Sequence, residues 1–147
     1  VGSRGLGDVY KRQMKKWAKN TQRNHIIVEH NDNSGSVDEQ AYIKKLTSDV
    51  RVVSIVHTSP VTGMTVDLEK ITKEVRNVTP DCIIIVDGIQ HSSHGAIDVQ
   101  KYDIDGYVVS PYKMFSRHGY GVAWASDRLC TLNKEQLAGG PFSKTGN

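Results

Sequence analysis

Apolar positions along the chain fall into two alternating kinds of run. Short β-branched or wholly apolar stretches occur at His25 to Glu29 (HIIVE), Val50 to Val56 (VRVVSIV), Cys82 to Val86 (CIIIV), Gly106 to Val109 (GYVV) and Gly121 to Ala125 (GVAWA). Each has the length and composition of a strand. Between them, Leu68, Ile71, Val75 and Val78 recur at spacings of three and four, one apolar face of a helix with Asp67 as its N-cap and Pro80 beyond its end. Ser36 followed by Glu39 is a capping-box pattern that predicts a second helix over Val37 to Leu46. Lys15 to Asn24 is polar and basic, a surface helix or frayed loop.

The order strand, helix, strand, helix, strand predicts an α/β fold: three layers, with a mainly parallel sheet and flanking helices. The run Cys82 to Val86 is apolar at every position, as expected of a strand buried on both faces. The strand Gly121 to Ala125 is expected to run antiparallel to its neighbour. The loop from Met114 to Tyr120 is too short for a parallel crossover, which takes about a dozen residues.

Composition narrows the function classes. The chain is 37% hydrophobic and 24% charged, the balance of one globular unit. Its longest apolar run is far short of the roughly 18 residues that a membrane span requires. Two cysteines, Cys82 and Cys130, form no disulfide framework and no metal-ligand spacing, which fits a reducing, cytoplasmic setting. The formal charge of +3 and the basic cluster near the start invite a nucleic-acid reading. However, Ser3 to Gln13 (SRGLGDVYKRQ) reads as the translation of a sequencing-library adapter, so residues 1–13 are set aside as non-native. Arg4, Lys11 and Arg12 against Asp8 leave only +1 for the remainder, and no nucleic-acid partner is implied. An adapter joined to coding sequence also means that Met14 need not be a true start. The acidic loop His30 to Gly35 is not a calcium loop, because Ala41 falls where the bidentate Glu of an EF-hand should sit.

In open parallel sheets ligands gather beyond the carboxyl ends of the strands. Three strands here end in polar clusters: His57-Thr58-Ser59, Asp87 with Gln90, and Ser110 with Tyr112 and Lys113. Asp87-Gly88 after an apolar run is also a hairpin signal. Ile89 to Ser93 lacks the alternation of a returning strand, so the hairpin reading loses ground. Asp87, His91 and His94 could alternatively bind a metal in a metal-dependent hydrolase, although no third ligand has a helical i, i+4 partner.

Together these clusters match a family pattern. Ile84 to Val99 (IIVDGIQHSSHGAIDV), Asp105 to Ala125 (DGYVVSPYKMFSRHGYGVAWA) and His57 to Gly63 (HTSPVTG) resemble segments of class V aminotransferases and cysteine desulfurases, fold-type I enzymes dependent on pyridoxal 5'-phosphate. The resemblance covers His25 to Leu129 and implies that residues 14–147 are part of a large, cofactor-binding domain. It assigns Lys113 to the Schiff base with the cofactor, Asp87 to the pyridine nitrogen and Gln90 to the phenolic oxygen. Ser110 and Tyr112 fall at phosphate-contacting positions, with Tyr112 replacing the family's usual His. Pro60 replaces an Asn near the ring, a departure from the desulfurase branch. Cys130 lies too close to Lys113 to be a desulfurase's loop cysteine. The resemblance also implies an amino-acid substrate, a transferase or lyase reaction and a homodimer. The family's phosphate loop and substrate-binding Arg have no counterpart here, so this chain alone is expected to turn over no amino acid. A non-catalytic truncated member is the alternative within the family.

Overall fold

The computed structural model describes residues 14–29 and 39–132. The adapter-like segment, the acidic loop His30 to Gly35, the cap Ser36 and the residues after Leu132 lie outside them. Four strands, β1 (Val52–Val56), β2 (Ile83–Asp87), β3 (Gly106–Val109) and β4 (Val122–Ala125), form one sheet in the order β1-β2-β3-β4. β1, β2 and β3 are parallel, and β4 returns antiparallel beside β3, with Val109 opposite Val122. Helical segments occur at residues 14–20 (α1), Glu39–Ile43 (α2), Leu68–Val78 (α3) and residues 127–132 (α4).

α3 forms where its apolar period predicts. The Asp67 side chain accepts from the Lys70 backbone N–H, satisfying one of the unpaired donors of the first turn. Leu68, Ile71 and Val75 then pack on Val53, Ile55, Ile84 and Val86, all buried in one cluster with Cys82, Ile104 and Tyr107. Each such aliphatic side chain contributes on the order of 2 kcal/mol when fully buried. The register pairs Val53 with Ile84 and Ile55 with Val86, so these residues share the sheet face that α3 covers. On the other face Leu129 of α4 approaches Gly106, whose missing Cβ leaves room for Ile85.

Burial on β2 alternates, which corrects the expectation of a strand covered on both faces. Cys82, Ile84 and Val86 are fully buried, whereas Ile83 and Ile85 are half-buried. Among the described residues, α3 covers one face along its length and the other receives only a local contact.

Two further expectations are corrected. His25 to Glu29 is not a strand: residues 23–29 are irregular, with Ile26 and Ile27 exposed and the Ile27 carbonyl accepting from Lys45 Nζ. β-branched residues favour an extended chain, but no neighbouring strand offers this segment a ladder among the described residues. α2 ends earlier than the capping pattern predicts, because its hydrogen bonds tighten. Lys45 N–H donates to the Tyr42 carbonyl and Leu46 N–H to that of Ile43, three-residue spacings that end an α-helix.

Opposite the carboxyl ends of the strands, a buried ion network locks the other end of the sheet. The Asp105 carboxylate, 1% exposed, accepts from Arg76 Nη2 at 2.7 Å, from the Ile84 backbone N–H at 2.9 Å and from Ser126 Oγ at 3.0 Å. Arg76 also donates to the carbonyls of Pro80, Cys82 and Asp103, tying α3 to the starts of β2 and β3. No sequence motif marks this pair.

Candidate active site

The three polar clusters do meet beyond the carboxyl ends of parallel strands. β1 runs into His57, β2 ends at Asp87, and β3 leads through Ser110 into a 3-10 turn, Pro111–Met114, that carries Tyr112 and Lys113. The backbone fixes their relative height. His57 N–H donates to the Asp87 carbonyl and Gly88 N–H to that of Val108, both at 2.9 Å.

Gln90 and Lys113 are joined directly. Lys113 Nζ donates to Gln90 Oε1 at 3.0 Å, and Gln90 Nε2 lies 3.3 Å from His94 Nε2. An ammonium only donates, so the amide oxygen must face Lys113 and the amide N–H turns to His94. Asp87 is half-buried at the end of β2, where Oδ1 accepts from the Ile89 backbone N–H at 3.0 Å. That bond caps the turn of Gly88 to Gln90 into the 3-10 helix His91–Ser93, so Asp87-Gly88 turns the chain out of the sheet and not into a hairpin. Ser110 is half-buried, its carbonyl accepting from Lys113 N–H at 3.0 Å. Tyr112 is partly exposed and stacks on His118, ring centroids 4.9 Å apart. Pro60 sits exposed in the loop after β1.

A second network, to which the motifs assign no role, supports these residues from below. His57 is 3% exposed, stacks on His91 with centroids 3.6 Å apart, and has Nδ1 2.9 Å from the Tyr107 hydroxyl. Burial, then the neighbouring His91, pushes the His57 pKa down to about 4, so the ring is neutral at physiological pH. Burial, with Tyr102 and Asp87 nearby, pushes the Tyr107 phenol up. His91 Nδ1 lies 2.9 Å from Thr58 Oγ1, which in turn meets Thr65 Oγ1 at 2.8 Å. The Tyr107 ring explains Gly88. A Cβ there would lie 2.0 Å from Tyr107 Cε1, so only glycine lets the ring pass under the turn that carries Asp87 and Gln90. A polar tyrosine inside an otherwise apolar strand was the available signal for this network.

Asp87, His91 and His94 are not gathered into a metal site. Among the described residues no three His, Cys, Asp or Glu side chains are placed to hold one ion. His91 is engaged by Thr58 and His57, and His94 by Gln90. No helix among the described residues is long and apolar enough to cross a membrane.

The mostly parallel sheet brings an amine, an amide and a carboxylate to adjacent strand ends, the side on which open α/β sheets bind ligands. The chain belongs to the aminotransferase class-V family, whose model matches residues 13–145. It is 29% identical over 128 residues to a probable cysteine desulfurase of Mycoplasma genitalium, covering 87% of this chain and 31% of that one. It is also 34% identical over 111 residues to a cysteine desulfurase of Wigglesworthia glossinidia brevipalpis, covering 76% of this chain and 27% of that one. This chain thus spans about a third or less of the curated relatives it matches. Among solved structures, the cysteine desulfurase CsdA of Escherichia coli superposes with a TM-score of 0.71 at 26% identity, over 78% of this chain and 28% of that one. The ureidoglycine-glyoxylate aminotransferase of Bacillus subtilis shares the fold, with a TM-score of 0.72 at 17% identity over 86% of this chain and 33% of that one.

Proposed function

We propose that residues 14–147 are part of the cofactor-binding domain of a pyridoxal-phosphate-dependent enzyme acting on an amino acid, in the transferase or lyase class, with Lys113 holding the cofactor. The observation that carries this reading is the Lys113 Nζ to Gln90 Oε1 bond of 3.0 Å beside the strand that ends at Asp87. An amine, an amide and a half-buried carboxylate on neighbouring strand ends are the donor set that such a cofactor requires, so the residues present fit the group.

The bound cofactor supplies an electron sink for the substrate's α-carbon. The chain's own residues set the conditions for it. Lys113 provides the amine nucleophile and, once released, a base for the α-proton. The Asp87 carboxylate would supply the negative charge that keeps the cofactor's ring nitrogen protonated. The Gln90 amide N–H, which lies against His94, would be the group able to donate to the cofactor's phenolic oxygen. Ser110 and Tyr112 offer hydroxyl donors to the phosphate. The family's homodimer and a cytoplasmic location complete the proposal, the latter resting on two free cysteines, Cys82 and Cys130.

The test is cofactor loading of the full-length protein that contains this chain. Pyridoxal phosphate should produce visible absorbance that Lys113→Ala abolishes, while the variant still binds the cofactor noncovalently. Unchanged absorbance in Lys113→Ala would remove the proposal.

A further inference from the structure

The loop between the 3-10 turn and β4 brings His118 back onto Tyr112. Phe115 at φ 64° and Gly119 at φ 108° reverse the chain, Ser116 N–H donates to the Pro111 carbonyl, and the Ser116 and Tyr120 hydroxyls close the loop. The two rings stack at 4.9 Å with an interplanar angle of 26°. Both residues are exposed, so the stack buries little surface and packing alone is a weak reason for it. Among the described residues, neither the Tyr112 hydroxyl nor the His118 ring nitrogens have a hydrogen-bond partner, and Arg117 has no ion-pair partner. From Gly106 to Ser126 the chain carries Lys113 and Arg117 and no carboxylate. A phenol, an imidazole and a guanidinium in a stretch of chain without carboxylates form a surface suited to an anion.

Tyr112 stands where the family's motif has a His. We infer that His118 supplies the missing imidazole from six residues downstream, and that its ring, held by the Tyr112 stack, binds the phosphate group of the cofactor. The inference rests on the function proposed above. It adds a binding residue that the motif does not contain, since His118 lies outside the Ser110 to Lys113 run. Here Tyr112 acts twice: its hydroxyl is a donor, and its face orients the imidazole.

The test compares pyridoxal phosphate with pyridoxal, which lacks the phosphate, by titrating each into the full-length protein. His118→Ala and His118→Phe should each weaken pyridoxal phosphate about tenfold, the loss of one hydrogen bond to a charged group. Both should leave pyridoxal binding unchanged, which also shows that the variants are folded. If His118→Phe keeps wild-type affinity for pyridoxal phosphate, the ring is a packing element and the inference fails. Equal weakening of both ligands would likewise overturn it, since the effect would not be on phosphate. If the wild-type protein takes up neither ligand at Lys113, the proposed function itself fails and this inference falls with it.

Discussion

Lys113 Nζ and Gln90 Oε1 lie 3.0 Å apart although 23 residues separate them in sequence. The contact exists because β2 and β3 are parallel neighbours in register, Asp87 opposite Val108. Both strands therefore end at one height, and the turns that leave them face each other. One consequence is that the amide is already oriented before any ligand arrives, with its oxygen toward Lys113 and its N–H toward His94.

Gly88 makes that geometry possible, and Gly88→Ala should disrupt it. The added Cβ would meet the Tyr107 ring at 2.0 Å and cannot be absorbed by a flexible side-chain end. We expect about 2 kcal/mol or more of destabilisation by urea denaturation. Adding Tyr107→Leu should recover part of it, and an Ala variant as stable as the wild type would refute the close approach.

Asp87→Ala should separate cofactor attachment from catalysis. Lys113 keeps its amine, so the covalent link still forms. Without the carboxylate the ring nitrogen loses its proton, and turnover of the full-length enzyme should fall about 100-fold, roughly 2.7 kcal/mol of barrier. Loss of attachment with normal turnover per bound cofactor would be the opposite pattern.

His57 predicts a pH dependence of stability. Its folded-state pKa, about 4, lies below the ordinary 6.5. The unfolded chain therefore binds the proton first, so the stabilisation is fully present above pH 6.5 and is lost as pH falls toward 4. The loss is on the order of 3 kcal/mol. Denaturation at pH 7 and pH 4.5 should show a steeper decline for the wild type than for His57→Gln, and parallel declines would exclude His57 as the source.

At the far end of the sheet, Arg76→Ala should leave the buried Asp105 carboxylate with Arg128, 3.4 Å away, as its one cationic partner among the described residues. Removing one member of a buried pair costs about 3 kcal/mol or more. Thermal and urea unfolding should both report it, and a cost below about 1 kcal/mol would mean that Arg128 compensates. Because this network is remote from Lys113, cofactor affinity should not change in the folded variant.

Much of the fold was legible because it is written in local pattern. VVSIV, IIIV and GYVV are strands within a residue or two of where composition puts them, and Asp67 caps α3 as its position predicts. HIIVE misled for the same local reason, since propensity says nothing about whether a partner strand exists. The residues proposed to hold the cofactor were legible as strand-end clusters and as motif. What supports them was not: the His57 to Tyr107 contact spans 50 residues and the Arg76 to Asp105 pair 29, and both depend on sheet register. The Tyr112 and His118 stack was hidden differently, in a left-handed Phe115 that no favourable propensity announces.

Borohydride reduction of the full-length protein loaded with pyridoxal phosphate, followed by peptide mapping, tests whether Lys113 holds the cofactor. One modified peptide, containing Lys113, is expected, with no adduct in Lys113→Ala. An adduct on Lys101, which the structure pairs with Glu69 on the flank of α3, or on Lys134 would contradict it.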